Sequence, residues 1–199
     1  MLPLFLAEKT ISSTEKDELR TKMENKSIYL DSNIFMDSKY ENIFEYLIEN
    51  KIKVNILKSQ YDEMVNLRKK LKNDESEKAK LLKSKLSLAL KRIEELIDKT
   101  ESNIQDIGFD SDKNAYADID FIKTILKKLK KEESVIFVTQ DRDLRIRLKT
   151  MIKDNKEINQ ENINIFDAEE FIEYVNNNKS SSGWFGGFLR NNLYEKNNT

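Results

Sequence analysis

Four short apolar runs rich in β-branched residues recur along the chain: SIYL at 27–30, KVNIL at 53–57, VIFVT at 135–139 and NINIF at 162–166. The stretches between them place apolar residues at helical spacing. This alternation constrains the fold more than any other feature, because strands separated by helices pair in parallel through right-handed crossovers. The expectation is an α/β fold, a three-layer α/β/α sandwich with a mostly parallel central sheet.

The helical segments follow from their own periodicities. ENIFEYLIENK at 41–51 carries Ile43, Phe44, Tyr46, Leu47 and Ile48 on one side, and completes a β-α-β unit with its flanking strands. Helices are likewise expected over 117–131, 142–153 and 167–177. Two further patterns, YDEMVNLRKKLK at 61–72 and SEKAKLLKSKLSLALKRIEELIDK at 76–99, predict a helical arm over about 61–100. Its stripe of Leu81, Leu82, Leu86, Ala89, Leu90, Ile93, Leu96 and Ile97 is heptad-like but spans too few heptads for a convincing coiled coil, so packing on the domain's own helices is expected. Before the first strand, residues 12–25 read as a helix with Ser12 and Glu15 at capping-box spacing, and residues 1–26 as a helical extension. Residues 102–116, with Gly108 among several Asp and Asn, read as a loop or lid.

Composition then narrows the chemistry. The chain has 199 residues, no cysteine and no histidine. Disulfides, thiolate nucleophiles and zinc fingers are excluded, as are Ser-His-Asp triads and mechanisms that need an imidazole base or ligand. Carboxylate-bound magnesium or manganese survives this filter, since hard ions prefer oxygen donors.

Four acids stand at predicted strand ends or helix starts. Asp31 follows the first strand directly, and Asp141 falls in the first turn after the run at 135–139. In open parallel sheets the crevice outside the carboxyl strand ends is where ligands bind. Asp118 points along the buried stripe of its helix, with Phe121, Ile122, Ile125 and Leu129 all within about 60° of its direction. It is expected to need a cation or a proton. Asp120 lies about 200° round the same helix and is expected to be solvated. Glu63 starts the helix after KVNIL on the margin of Met64, Leu67 and Leu71, while Asp62 points away. Each acid, taken singly, is also what a helix start attracts through its macrodipole.

The order of LDSN, a first-turn glutamate after the second strand, an aspartate opening a later helix, and VTQDRDL resembles the PIN domain, a fold of metal-dependent ribonucleases named for the PilT N-terminus. The resemblance covers about residues 27–167 through short motifs. It implies that Asp31, Glu63, Asp118 and Asp141 form the acidic cluster, that Asn33 supports the first loop, and that Thr139 hydrogen-bonds near the last carboxylate. It further implies one or two Mg2+ or Mn2+ ions and endoribonuclease activity leaving 5′-phosphate and 3′-hydroxyl ends. The long Lys-rich stretch between Glu63 and Asp118 departs from compact members of that family, and the sequence after residue 178 matches no part of it. A haloacid-dehalogenase-like phosphatase fits less well, because Asp31 is followed by Ser32 and Asn33 rather than by a second aspartate two residues on.

Charge is unevenly distributed. Residues 64–92 hold ten Lys or Arg against three acids, and residues 94–120 hold nine acids against two lysines. This layout can set a basic face for phosphates beside an acidic pocket, with a solvated helical face as the alternative. Lys69, Lys70, Lys72 and Arg142 are the candidates for phosphate contact with an RNA substrate, and DNA stays open because acidic metal sites act on either polymer. Residues 1–178 are expected to form the nuclease domain, and 179–199 a flexible tail with three of the four glycines and the single tryptophan. Trp184, Phe185, Phe188 and Leu189 there suit docking to a protein partner or a membrane surface, or folding back on the domain. The start MLPLFLAEK lacks a signal-peptide pattern and no stretch reads as a transmembrane span, so a cytoplasmic protein is expected, with a homodimer open. The competing readings are a PIN-like scaffold that binds RNA or protein without cutting, and, among nucleases, the roles of toxin, RNA-processing enzyme or antiphage effector.

Overall fold

The computed structural model describes residues 23, 25–106 and 117–179. The expected N-terminal helix at 12–25, most of the lid at 107–116 and the aromatic tail lie outside the described residues, apart from Met23 and residue 25 at the end of the first. Five strands are present: β1 (Lys26–Leu30), β2 (Asn55–Leu57), β3 (Asn103–Gln105), β4 (Ser134–Val138) and β5 (Ile163–Phe166). Seven α-helices accompany them among the described residues: α1 (Ser32–Met36), α2 (Glu41–Glu49), α3 (Lys58–Lys70), α4 (Glu77–Lys99), α5 (Ala117–Leu129), α6 (Arg142–Asp154) and α7 (Ala168–Lys179). Every strand pair is parallel, as the alternation of elements requires.

The ladder runs β1-β4-β5, with Ile28 opposite Ile136 and Phe137 opposite Ile165, and a second ladder joins β2 to β3. β3 corrects the expectation of a loop across 102–116: three residues in a polar stretch are too short to announce a strand, yet Ile104 pairs with Ile56. Between β1 and β2 the backbones do not ladder, and side chains bridge them instead. Asn55 Nδ2 donates to the Ile28 carbonyl at 3.4 Å, and the fully buried Gln60 donates through Nε2 to the Leu30 carbonyl at 2.9 Å. Gln105 Nε2 donates to Asn55 Oδ1 at 2.6 Å, and Tyr29 OH donates to Gln105 Oε1 at 3.4 Å.

Alternation along the strands divides the core into two layers. Ile28, Leu30, Ile136 and Val138 face a cluster with Phe35, Phe44, Leu86, Ile93 and Phe171, supplied by α1, α2, α4 and α7. Tyr29, Val135 and Phe137 face the opposite cluster with Phe121, Ile125, Leu144 and Leu148, supplied by α5 and α6. The result is the expected α/β/α sandwich. No helix among the described residues is long and apolar enough to cross a membrane.

The arm is part of this body. α4 packs on α1, α2 and α3, burying Leu86, Ala89, Ile93 and Leu96, while Leu81 and Ile97 from the same stripe are exposed. Its strongest tie is polar. Arg92, 1% exposed, donates through Nη1 to the carbonyls of Phe35 and Asp37, each at 2.9 Å, and more weakly to that of Ile34. Its Nε and Nη2 donate to Glu41, and the guanidinium carbon lies 4.4 Å from the centre of the Phe44 ring. Carbonyls left over at the end of α1 thus find their donor on a helix more than 50 residues away in sequence. Arg92→Met removes the donor and leaves buried carbonyls unsatisfied, so urea denaturation should show a loss of about 2–4 kcal/mol, against less than about 1 kcal/mol for Glu41→Gln, whose partner keeps its carbonyls.

Candidate active site

β1 and β4 deliver Asp31 and Asp141 to the same edge of the sheet. The ladder continues into the site, since the Asp31 amide donates to the Val138 carbonyl at 2.9 Å and the Thr139 amide to the Phe166 carbonyl at 3.0 Å. Asp31 then caps α1, its Oδ1 accepting the Ser32 amide at 2.6 Å. Asp141 caps α6, its Oδ1 accepting the Leu144 amide at 2.9 Å. Both acids therefore serve as helix caps, and capping fixes where their free oxygens project.

Thr139 joins the two. Its hydroxyl, in a fully buried residue, donates to Asp31 Oδ2 at 2.6 Å and accepts the Asp141 amide at 3.0 Å. Asn33 closes the arrangement from the other side: Nδ2 donates to Asp31 Oδ2 at 2.6 Å and Oδ1 accepts the Gln140 amide at 3.3 Å. Asn33 thus braces the first loop, while the Thr139 hydroxyl meets the first carboxylate, Asp31, and of the last acid, Asp141, only the backbone amide. Asp31 is 7% exposed and faces no lysine or arginine among the described residues. Burial pushes its pKa up to about 6; hydrogen bonds from Thr139 and Ser32 pull it back, and the charges of Asp118 and Asp141 add to the rise.

Asp118 and Glu63 belong to the same electrostatic neighbourhood. Glu63 sits at the exposed rim on α3, its carboxyl lifted above the usual range by partial desolvation and by Asp118, and lowered by a hydrogen bond from the Ala117 amide. Asp118 does have the cation that its phase demanded: Arg147 Nη2 on α6 donates to its Oδ2 at 2.9 Å. Burial on this helix differs from expectation, however. Asp118 keeps 36% of its side chain exposed, whereas Asp120 is only 3% exposed. Asp118 lies in the stripe's direction but on the first turn of α5, while Asp120 shares the side of Ala117 and Thr124, which is also buried. The helix has a broader buried surface than the Phe121–Ile125 stripe announces.

The four acids gather at one end of the sheet, but among the described residues no three acidic or other metal-ligating side chains converge as a ready-made ligand cage. Each carboxylate instead has its own partners, Asp31 in Thr139 and Asn33, Asp141 in its helix, Asp118 in Arg147 and Glu63 in the Ala117 amide. Like charges brought together without a counter-ion take such separate partners. The donor set is wholly hard oxygen and fits Mg2+ or Mn2+. Of the phosphate-contact candidates, Lys69, Lys70, Lys72 and Arg142 are all exposed. Lys70 lies two turns beyond Glu63 on the same helical face, about 10 Å along the axis, and Arg142 adjoins Asp141.

Arg147 and Gln60 escaped the sequence reading, and Asp120, expected to be solvated, is buried. Nothing in RDLRIR selects Arg147 over Arg142 or Arg145 as the partner of an acid on another helix; Arg145 in fact turns away to Asp167 and Glu170. A cleft of about 380 Å3 lined by Gln105, Thr124, Lys127, Lys128 and Lys131 also exists, and none of the four acids lines it. No protein-family model matches the chain, and no curated protein matches it either.

Two measurements follow from the burial of these acids. A carboxyl whose pKa is raised by folding contributes stability below its unfolded value near 3.8, and that contribution is lost as pH rises through about 6. Asp31→Asn should therefore stabilise the metal-free protein at pH 7.5 by about 1–3 kcal/mol and flatten the stability profile between pH 4 and 6 in chemical denaturation. Asp120→Asn should change stability by more than about 0.5 kcal/mol in the same assay, where a solvated acid would stay within that margin.

Proposed function

We propose that this chain is a divalent-metal-dependent endoribonuclease of PIN-like type, hydrolysing RNA phosphodiesters at the cluster of Asp31, Asp141, Asp118 and Glu63. The observation that carries the reading is the pairing of Asp31 and Asp141 on adjacent strand ends through Thr139, with Asp31 buried and without a cation contact among the described residues. Burying a carboxylate this way is costly unless a positive ligand offsets it, and this acid, held by neutral donors, sits where parallel sheets bind ligands.

In this reading Asp31 and Asp141 are the central ligands for one or two Mg2+ or Mn2+ ions, Asp118 flanks them, and Glu63 is a ligand or orients the attacking water. When bound, the metal supplies a water of lowered pKa and positive charge at the departing oxygen of an in-line displacement. Thr139 and Asn33 hold the Asp31 carboxylate in one orientation, so that its donor geometry is set before substrate arrives. Arg142, next to Asp141, and Lys70, two turns beyond Glu63 on its helix, are exposed together with Lys69 and Lys72 and would be the groups to meet RNA phosphates. The products are 5′-phosphate and 3′-hydroxyl ends. The setting we infer is cytoplasmic.

The second reading, a scaffold that binds RNA or protein without cutting, draws on one observation, the ion pair that already neutralises Asp118. The two separate in a cleavage assay with purified protein and labelled RNA. Cleavage should appear with Mg2+ or Mn2+, vanish with chelator, and fall at least about a thousandfold in Asp31→Asn and Asp141→Asn variants that keep the wild-type circular dichroism. Retention of intact RNA in the presence of metal supports the scaffold, and preference for DNA over RNA under the same conditions redirects the substrate assignment.

A further inference from the structure

The pairing of Asp118 with Arg147 has a use beyond neutralisation. The bond from Nη2 to Oδ2 is 2.9 Å long, and the two side chains are 36% and 50% exposed. Three arginines lie on the first two turns of α6. Arg145 is committed to Asp167 and Glu170 away from the cluster, and Arg142 has no carboxylate of the cluster as partner; Arg147 reaches one of the four acids directly. A pair this exposed shifts an equilibrium by a few-fold at most, so it is easily exchanged. Asp31, by contrast, is buried and held among the described residues by neutral donors.

We propose that Arg147 is an exchangeable counter-cation: it holds Asp118 in the metal-free protein, yields that carboxylate to a divalent ion, and then contacts a non-bridging oxygen of the RNA phosphodiester at the site. This rests on the metal-nuclease reading above. The charge balance favours the exchange, because the incoming ion carries twice the charge of the guanidinium it replaces. The released group stays tethered beside Asp118, and its planar fork of donors matches phosphate oxygens as well as it matched the carboxylate. One side chain thereby keeps the acids tolerable before metal arrives and supplies a substrate contact afterwards. If the pair served only to tie α5 to α6, its removal would loosen both helices and change metal and RNA binding in the same direction.

The test uses the full chain with Arg147→Met and Arg147→Lys, and Arg147→Gln should the apolar variant fold poorly. Mn2+ affinity is read by calorimetry without RNA, and kcat/KM for RNA cleavage at saturating Mg2+ over a range of salt. Arg147→Met should bind Mn2+ about two- to fivefold more tightly, because a competitor is gone. It should nevertheless cleave RNA at least about tenfold less efficiently, with a salt slope shallower by about 0.7, the loss of one single-strand phosphate contact. Arg147→Lys should keep wild-type Mn2+ affinity and recover part of the cleavage. Unchanged or weaker Mn2+ binding in a folded Arg147→Met protein, or undiminished cleavage, overturns the proposal while leaving the nuclease reading intact. A wild-type chain that neither binds Mn2+ nor cuts RNA overturns both.

Discussion

One hydroxyl organises the end of the sheet. Thr139 directly follows β4 in a fully buried position, donates to Asp31 and accepts the amide of Asp141, so the two acids are referred to a single atom. A hydroxyl can do this because it is donor and acceptor at once, whereas a valine of the same shape would leave the Asp31 carboxylate and the Asp141 amide without their shared partner. Asn33 repeats the logic with an amide side chain, donating to Asp31 and accepting from the Gln140 backbone. The two loops that carry the acids are therefore stitched through neutral groups, which orient charge without cancelling it.

Charge in the site is graded by depth. Asp31 is buried, without a cation partner among the described residues, and raised in pKa; Asp141 is exposed and satisfied by the start of α6; Asp118 and Glu63 share the rim with Arg147 nearby. The deepest acid bears most of the desolvation cost, and the shallow ones are free to find partners from solvent or from neighbouring helices.

Much of this was readable in the sequence, for identifiable reasons. β1, β4 and β5 are apolar on both faces because helices cover both, so their runs stood out, and the acids directly after two of them were easy to place. Asn33 and Thr139 were placed through motif resemblance. β3 was missed because three edge residues, two of them polar, carry no periodicity of their own. The roles of Asp118 and Asp120 differed from expectation because helical phase gives a direction and not the depth at which neighbours close over it; the first turn of α5 runs past the covered part of the stripe. Arg92 and Arg147 were invisible for a different reason. Their partners lie on other elements, and a basic residue in a Lys-rich or Arg-rich helix looks the same whether it ends at a buried carbonyl, a carboxylate or water.

The junction of the two ladders has a consequence for how this molecule tolerates change. A backbone ladder is nearly indifferent to which residues it passes through, since every peptide brings the same donor and acceptor. Across the seam from β1 to β2 that insurance is missing, and Asn55, Gln60 and Gln105 stand in for the peptide groups. Cohesion there is written in side-chain identity, so this seam inside the sheet is where drift in the sequence would first pull the halves apart.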